Sequence, residues 1–281
     1  MNRRDFSKLA AAAALGAVVP SPSEAGAQQA AGAATHEQDM ATAMKRHETM
    51  LGGPHLTIAM LPYPGMFLQD LVGPLTMFEA LLNRDVHLVW KNKEPITVGT
   101  GMNLTPTMTF AECPDNLDVL FVPGGVPGTF AMMEDAEVLR FLAAKGKTAR
   151  YVTSVCTGSL ILGAAGLLKG YKATSYWNTR EVLTEFGAIP IEGRIVVDRN
   201  RITGGGVTAG LDFGLAVVAA LRSRAYAEAV QLYVEYDPHP PFNAGSPRTA
   251  PKEPKQFIDD MFGSLVDVAR QTAIRAQKRL G

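Results

Sequence analysis

The chain has 281 residues, of which 47% are hydrophobic, and its formal net charge at pH 7 is zero. That length predicts one sizeable domain, or one domain with appendages, and the lack of a basic stripe argues against a nucleic-acid partner. Two cysteines occur, Cys113 and Cys156. They are too few for a disulfide framework, and no Cys/His pair has zinc-ligand spacing.

The N-terminal residues have the pattern of an export signal. Arg3 and Arg4 precede a weakly apolar run at residues 9–19, which is the layout of a twin-arginine (Tat) signal. An Ala-x-Ala pattern ends residues 1–27, so we expect cleavage there and a periplasmic or secreted protein; an uncleaved amphipathic anchor is the alternative. The apolar run is too short to span a bilayer, which needs about 20 residues. Residues 28–53 are polar and predict a disordered or loosely helical leader.

Strands and helices alternate along the first half of the remaining chain. Continuously apolar, β-branched runs predict buried strands, and apolar residues at helical spacing predict the helices between them. The predicted elements are a strand at residues 55–61, a helix at 71–82, a strand at 86–90, short antiparallel strands at 96–98 and 104–110, a strand at 117–122 and a helix at 135–144.

The most informative pattern of the chain lies at residues 151–160. An apolar, β-branched run ends at Cys156, and three small residues, Thr157, Gly158 and Ser159, lead into another apolar run. This order predicts a buried strand, a sharp turn and a helix, which is the context of a nucleophile elbow. Backbone N–H groups and the helix dipole lower a thiol pKa at such a turn, so Cys156 is the candidate nucleophile. The alternative is a buried structural cysteine.

The second half adds shorter elements and a C-terminal extension. Residues 207–221 are apolar nearly all round and predict a buried helix, whereas the proline-rich residues 237–247 exclude regular structure. Alternating helices and apolar strands predict a three-layer α/β sandwich around a mostly parallel sheet. We expect this domain at residues 54–250 and a helical extension at residues 251–281. The other predicted elements are a short strand or loop at 173–177, a small helix at 181–186, a hairpin of 194–198 and 201–203, and helices at 224–235 and 257–279.

Ligands bind such sheets at the carboxyl ends of the strands. Three loops of this sequence stand at such ends, at residues 62–70, 123–127 and 156–159. We therefore expect these three loops to converge on one site.

Three motifs in those loops carry a family likeness: Gln69-Asp-Leu-Val-Gly-Pro74, Val122-Pro-Gly-Gly125 and Ser154-Val-Cys-Thr-Gly-Ser-Leu160. With them the chain resembles the ThiJ/PfpI superfamily, whose fold is the flavodoxin-like, class I glutamine-amidotransferase-like sandwich. Asp70 matches the aspartate of the isonitrile hydratase subgroup, and the Cys-Thr-Gly elbow is theirs rather than the Cys-His-Gly of protease-like members. The resemblance implies a small-molecule substrate, no cofactor, no metal and a homodimer.

The sequence departs from the pattern of the superfamily in three places. Tyr176 stands where many relatives have a histidine, so the usual Cys/His dyad is absent. The chain also has the export signal and an added C-terminal helix. Regulators of this superfamily append a helix-turn-helix domain, but too few residues follow Pro251 to form one.

The chemistry of a Cys/Asp site restricts the protonation of the two groups. An ionised carboxylate beside Cys156 would raise the thiol pKa, so Asp70 must be protonated while the sulfur is charged. Burial under the loop at residues 63–67 can keep Asp70 protonated, and Asp70 can then act as a general acid toward the substrate. The alternative role of Asp70 is a helix N-cap.

The remaining candidates surround this pair. Backbone N–H groups at Gly125 and after Cys156 can bind a developing negative charge, although a plain turn is the alternative. The hydroxyl of Thr157 can hold water or a substrate nitrogen, and two adjacent aromatic residues can line the pocket or belong to the core. The candidates are Cys156, Asp70 and Thr157 for catalysis, and Gly124, Gly125, Gly158, Tyr176 and Trp177 for substrate or oxyanion binding.

Two functions remain open at this point. The resemblance implies an isonitrile hydratase-like lyase, in which Cys156 attacks the isocyanide carbon, Asp70 protonates it and water releases an N-substituted formamide. The missing histidine and the export signal favour an exported, non-enzymatic binding protein or thiol-redox sensor instead. Glyoxalase or protease activity is a third and weaker hypothesis, because Thr157 and Tyr176 stand where those activities need histidine.

Overall fold

The computed structural model describes residues 24–279, and the chain divides after Gly52 into two compact units. In the first unit, Glu24–Arg46 forms helix α1 and Glu48–Leu51 forms the short helix α2. Helix α1 covers most of the predicted leader. Residues 1–23 of the predicted signal peptide (residues 1–27) lie outside the described residues, so the export signal stays a prediction.

All the β-structure of residues 24–279 lies in the second unit. Its core strands begin and end close to the apolar runs of the sequence, because each run forms one strand of the buried sheet. The strands are β1 (Leu56–Met60), β2 (Arg84–Trp90), β3 (Ile96–Thr97), β4 (Asn103–Leu104), β5 (Met108–Thr109), β6 (Val119–Val122), β7 (Tyr151–Val155), β8 (Lys172–Ala173), β9 (Ile189–Pro190), β10 (Ile195–Asp198) and β11 (Arg201–Gly204).

Seven helices and one 3-10 helix accompany these strands in the described part of the second unit. Among the helices of residues 24–279, none has the length and apolar character needed to cross a membrane. The helices are α3 (Leu68–Glu79), α4 (Gly128–Glu134), α5 (Ala136–Lys145), α6 (Gly158–Ala164), the 3-10 helix Arg180–Phe186, α7 (Ala209–Leu221), α8 (Arg224–Tyr233) and α9 (Lys252–Gln277).

The main sheet has seven strands in the order β10-β11-β7-β6-β1-β2-β5. Strands β10 and β11 pair antiparallel, as the predicted hairpin requires, and every other pair in this sheet is parallel. The helices pack in two groups, α3 with α7 and α8, and α4 with α5, α6 and α9. The structure therefore confirms a three-layer sandwich around a mostly parallel sheet, with an extra C-terminal helix.

In the first half of the fold, one prediction was wrong and one helix was not predicted. Residues 104–110 were expected to be antiparallel, but only β3 and β4 pair in that way, and β5 pairs parallel with β2 at the edge of the main sheet. Helix α4 was not predicted. It has seven residues, begins at Gly128 and lacks a side-chain cap, so the sequence contains no helix-start signal there.

Candidate active site

The loops that follow β1, β6 and β7 meet at the carboxyl ends of these strands, because the three strands are parallel neighbours in the sheet. Hydrogen bonds join the loops directly. The Phe67 N–H donates to the Gly124 oxygen (2.9 Å), and the Gly125 N–H donates to Thr157 Oγ1 (2.9 Å). The predicted convergence of the three loops is confirmed.

Cys156 occupies a strained backbone position between β7 and α6. Its φ of +53° lies in the left-handed region, which is unusual for a residue with a side chain. Its N–H donates to the oxygens of Gly204 (3.1 Å) and Gly205 (2.7 Å), so these two glycines hold the turn in place. The residue is 5% exposed. Such strain, maintained by surrounding contacts, is typical of functional sites.

Asp70 lies inside the first turn of α3 and is fully buried. Because α3 begins at Leu68 and its N-cap position is Phe67, the alternative role of Asp70 as an N-cap is excluded. Its Oδ2 accepts a hydrogen bond from the Gly124 N–H (3.0 Å), while Oδ1 is buried without a partner of ordinary geometry. Burial raises the pKa of this carboxyl and outweighs the lowering by donation from the Cys156 thiol and the Gly124 N–H, so the net change is a rise from 3.8 to about 7.

The thiol of Cys156 and the carboxyl of Asp70 each shift the pKa of the other. Burial raises the pKa of Cys156 well above its ordinary value, and the nearby negative charge of Asp70 raises it further. The Thr157 N–H and the Thr157 hydroxyl donate to the sulfur and lower the pKa, but they do not offset burial. The expectation of a lowered thiol pKa was therefore wrong, because it rested on the turn geometry and did not include the burial of the thiol.

Thr157 belongs to a chain of buried hydroxyl groups. Its Oγ1 lies 2.7 Å from Thr129 Oγ1, which lies 3.1 Å from the hydroxyl of Tyr63. The Tyr63 hydroxyl donates to the Pro123 oxygen (2.9 Å). The Thr157 proton can therefore point either to Thr129 or to the sulfur of Cys156. Tyr63 and Thr129 were not predicted, because nothing in their local pattern marks them as site residues.

The glycines at the site contact the candidate side chains. The N–H groups of Gly124 and Gly125 donate to Asp70 and Thr157, and the binding of a developing charge by these glycines stays a prediction. A Cβ at Gly158 would lie 2.3 Å from the Val122 oxygen, so this position needs glycine for close packing of α6 on β6.

Tyr176 and Trp177 form an aromatic wall next to the Asp70–Cys156 pair. Tyr176 is half-buried, and both burial and the nearby Cys156 raise its pKa, which indicates that the phenol faces the site. Its ring packs on Trp177 (centroids 6.1 Å apart) and on Phe262 of α9 (5.3 Å). Lys255 of α9 lies 5.4 Å from the Trp177 ring. The C-terminal helix thus supports the wall that carries both aromatic candidates.

The family of the chain follows from comparison with known proteins. The sequence model described as the DJ-1/PfpI family matches residues 57–220, which is more than half of the chain. The chain belongs to the DJ-1/PfpI family. A curated member, an isonitrile hydratase of Pseudomonas putida, is 47% identical over 223 residues, which cover 79% of this chain and 92% of that relative.

Solved structures of the DJ-1/PfpI family agree with this assignment. A crystal structure of a ThiJ/PfpI family protein from Pseudomonas syringae matches with a TM-score of 0.77 and 55% identity, covering 78% of this chain and 90% of that chain. Drosophila melanogaster DJ-1beta matches with a TM-score of 0.59 and 20% identity, covering 64% of this chain and 98% of that chain. The second likeness shows the fold alone.

Within the part of the chain that the structure describes, this DJ-1/PfpI site contains neither a histidine partner nor a metal cluster. The side chains that shift the pKa of Cys156 are Asp70 and Thr157, and histidine is not among them. His87 lies half-buried in β2, and the exposed His239 is bonded to the Asp237 oxygen. No group of three His, Cys, Asp or Glu residues in the described chain could hold a metal ion.

Replacement of Gly124 by alanine is expected to destabilise this family member strongly. A Cβ there would lie 2.5 Å from the Thr157 nitrogen and 2.8 Å from both Asp70 Oδ2 and Cys156 Cβ. One of these atoms is backbone, one is a Cβ and the third is a buried carboxyl oxygen bonded to the Gly124 N–H, so we expect Gly124→Ala to lower the free energy of unfolding by about 3 kcal/mol or more. Urea denaturation measures this change.

Gly263 of α9 supplies the matched control. A Cβ at this exposed helical position meets nothing within 4 Å. Gly263→Ala is therefore expected to leave the stability unchanged or raise it by up to about 1 kcal/mol. Equal unfolding midpoints for wild type and Gly124→Ala would contradict the close approach of the three loops.

Proposed function

We propose that this protein adds water to an isocyanide and releases an N-substituted formamide, with Cys156 as nucleophile and Asp70 as general acid. One observation carries the proposal: Asp70 is a fully buried carboxyl with a pKa of about 7, placed beside a buried thiol. The 47% identity to an isonitrile hydratase supports the same reaction class. The local geometry supplies the two groups that such a reaction requires, a sulfur nucleophile and a proton donor.

The first step needs one proton on the Asp70–Cys156 pair. In the reactive arrangement the proton is on the carboxyl and the sulfur is a thiolate, to which the Thr157 N–H and hydroxyl donate. The sulfur forms a bond to the terminal carbon of the isocyanide, and that carbon takes the proton of Asp70. The product is a thioimidate on Cys156, and Asp70 is left as a carboxylate. The buried and unpartnered Oδ1 is the oxygen free to carry this proton.

The second step uses the Asp70 carboxylate as a base. Water adds to the thioimidate carbon, and one of its protons passes to Asp70, which transfers it to the substrate nitrogen. The carbon–sulfur bond then breaks while the remaining hydroxyl proton passes to Asp70, so the N-substituted formamide leaves and Cys156 and Asp70 again share one proton. One isocyanide and one water are consumed for each formamide. The same carboxyl thus serves as acid and then as base, which a pKa near neutrality favours.

A turnover experiment tests the proposed activity. Purified protein is mixed with an aliphatic isocyanide in water enriched in oxygen-18, and the products are analysed by NMR and mass spectrometry. We expect catalytic formation of the formamide with one labelled oxygen. The variant Cys113→Ala, which removes the other cysteine, is expected to retain the wild-type rate. If no formamide forms above the rate in buffer alone, this function is wrong.

A further inference from the structure

The peptide unit between Cys156 and Thr157 is held on its oxygen side by two buried serines. The Cys156 oxygen accepts a hydrogen bond from Ser159 Oγ (3.1 Å) and another from Ser175 Oγ (3.1 Å). Ser159 is fully buried and Ser175 is 2% exposed, so water does not replace either donor easily. Both acceptor positions of this carbonyl are therefore filled from the protein.

The two serines come from different parts of the fold. Ser159 lies in the first turn of α6, where a serine bond to the oxygen three residues earlier is a common local arrangement. Ser175 reaches the same oxygen from the loop after β8, 19 residues away in the chain. Local turn chemistry does not explain that contact. It fastens the loop that carries Tyr176 and Trp177 to the backbone of the candidate nucleophile.

The nitrogen side of the same peptide unit acts electrostatically on the reactive sulfur. The N–H of this unit belongs to Thr157, and its donation to the sulfur lowers the pKa of Cys156. Hydrogen bonds accepted by a peptide oxygen polarise the whole unit and make its N–H a stronger donor. The two serine bonds therefore act on the sulfur through one peptide group. They also oppose relaxation of the strained backbone at Cys156, whose φ is +53°.

We propose that Ser159 and Ser175 are positioning residues, which fix and polarise the Cys156–Thr157 peptide so that its N–H stabilises negative charge on the sulfur. The inference deepens the proposed function, but its first readout, the reactivity of the thiol, does not require isocyanide turnover. The two serines touch neither substrate nor sulfur in this role. Their effect is on the population of the thiolate and on its orientation.

The test measures thiol alkylation in a Cys113→Ala background, in which Cys156 is the remaining cysteine. Initial rates with chloroacetamide are recorded across a pH series for the parent, Ser159→Ala, Ser175→Ala and the double variant. Each single variant is expected to alkylate about two- to fivefold more slowly at a given pH, and the double variant about tenfold more slowly, because the thiolate is less populated. Plots of log rate against pH are expected to shift toward higher pH without a change of slope.

Ser154 provides a matched control. It is fully buried in β7, two residues before Cys156, and its Oγ has no hydrogen-bond partner. Ser154→Ala deletes the same atoms from the same neighbourhood without touching the Cys156 carbonyl. We expect the alkylation profile of this variant to coincide with that of the parent. An equal shift in Ser154→Ala would overturn the inference, because any loss of a nearby hydroxyl would then have the same effect.

Further readouts separate positioning from loss of folding. Thermal unfolding identifies variants that no longer fold, and Ser175→Thr, which retains the hydroxyl, is expected to restore much of the alkylation rate. With an isocyanide substrate, the serine variants should lower kcat while KM changes less than about twofold. Folded Ser175→Ala and double variants with the parent profile would refute the role of the serines. Absence of isocyanide turnover together with the expected shifts would refute only the proposed function.

Discussion

Replacement of Cys156 by alanine is expected to lower kcat/KM for isocyanide hydration by about four orders of magnitude. The loss should be this large because, among the described residues, the side chains linked to Thr157 are those of Thr129 and Tyr63, whose hydroxyl groups are weak nucleophiles and are bonded to one another. Alanine has the backbone requirements of cysteine, so the fold is expected to persist. Product formation measured by NMR, with circular dichroism as the check of folding, gives the comparison.

The cysteine at position 113 is the control for that result. Cys113 is also buried, and burial raises its pKa, but its sulfur points toward the Pro114 oxygen rather than toward a carboxyl. Cys113→Ala should therefore retain hydration activity. A Cys156→Ala protein that forms formamide at more than a few per cent of the wild-type rate would contradict the role of the sulfur.

The second large effect is expected for Asp70→Asn, with opposite signs in two assays. The amide cannot supply a proton, so hydration should fall by about a thousandfold. Thiol alkylation should become faster, because the negative charge that raises the pKa of Cys156 is removed and an N–H donor takes its place. Parallel assays of hydration and alkylation on the same preparation measure both changes. A fall in both rates together would contradict the assignment of Asp70 as proton donor.

The pH profile of hydration follows from the same pair. The active form carries one proton on Asp70 and Cys156 together, and the fully protonated pair loses its first proton with the pKa of about 7 assigned to Asp70. Wild-type kcat/KM is therefore expected to rise with pH through about 7 and to stay level until the thiol ionises. In Asp70→Asn this rise near pH 7 should be absent.

Asp70→Asn should also change how stability depends on pH. The folded-state pKa of Asp70 is raised above 3.8, so its protonation stabilises the wild type fully below about pH 4, and this stabilisation is lost as pH rises to about 7. The lost contribution is about 4 kcal/mol by the conversion of pKa shifts into free energy. The stability of Asp70→Asn relative to wild type should therefore increase from pH 4 to pH 7 and remain constant above it. Urea denaturation at each pH tests this difference.

Much of the fold could be predicted because its signals are local. The apolar runs of β1, β6 and β7 and the turn at Cys156 are continuous in the chain, and parallel neighbours place their carboxyl ends together. The pairing of edge strand β5 was predicted wrongly and helix α4 was missed, because the first is two residues long and the second has no cap. Short elements of this kind depend on tertiary contacts rather than on local propensity.

The site could be predicted only where a motif marks it. Asp70, Thr157 and Cys156 lie in recognisable segments, whereas Ser175, Thr129 and Tyr63 contact the site from positions without such a pattern. The direction of the thiol pKa was missed because it depends on burial, which the residues around an elbow do not encode by themselves. Export by the twin-arginine route and assembly into a homodimer stay predictions of the sequence.

Mass spectrometry of the protein during turnover tests the central claim most directly. Wild-type protein and an aliphatic isocyanide are mixed, quenched rapidly with acid and digested with trypsin, and the peptide of residues 151–169 is weighed. We expect a fraction of this peptide to carry the added mass of one isocyanide on Cys156, in an amount that follows the rate of formamide release. Steady formamide production with this peptide unmodified at every quench time would contradict covalent catalysis by Cys156.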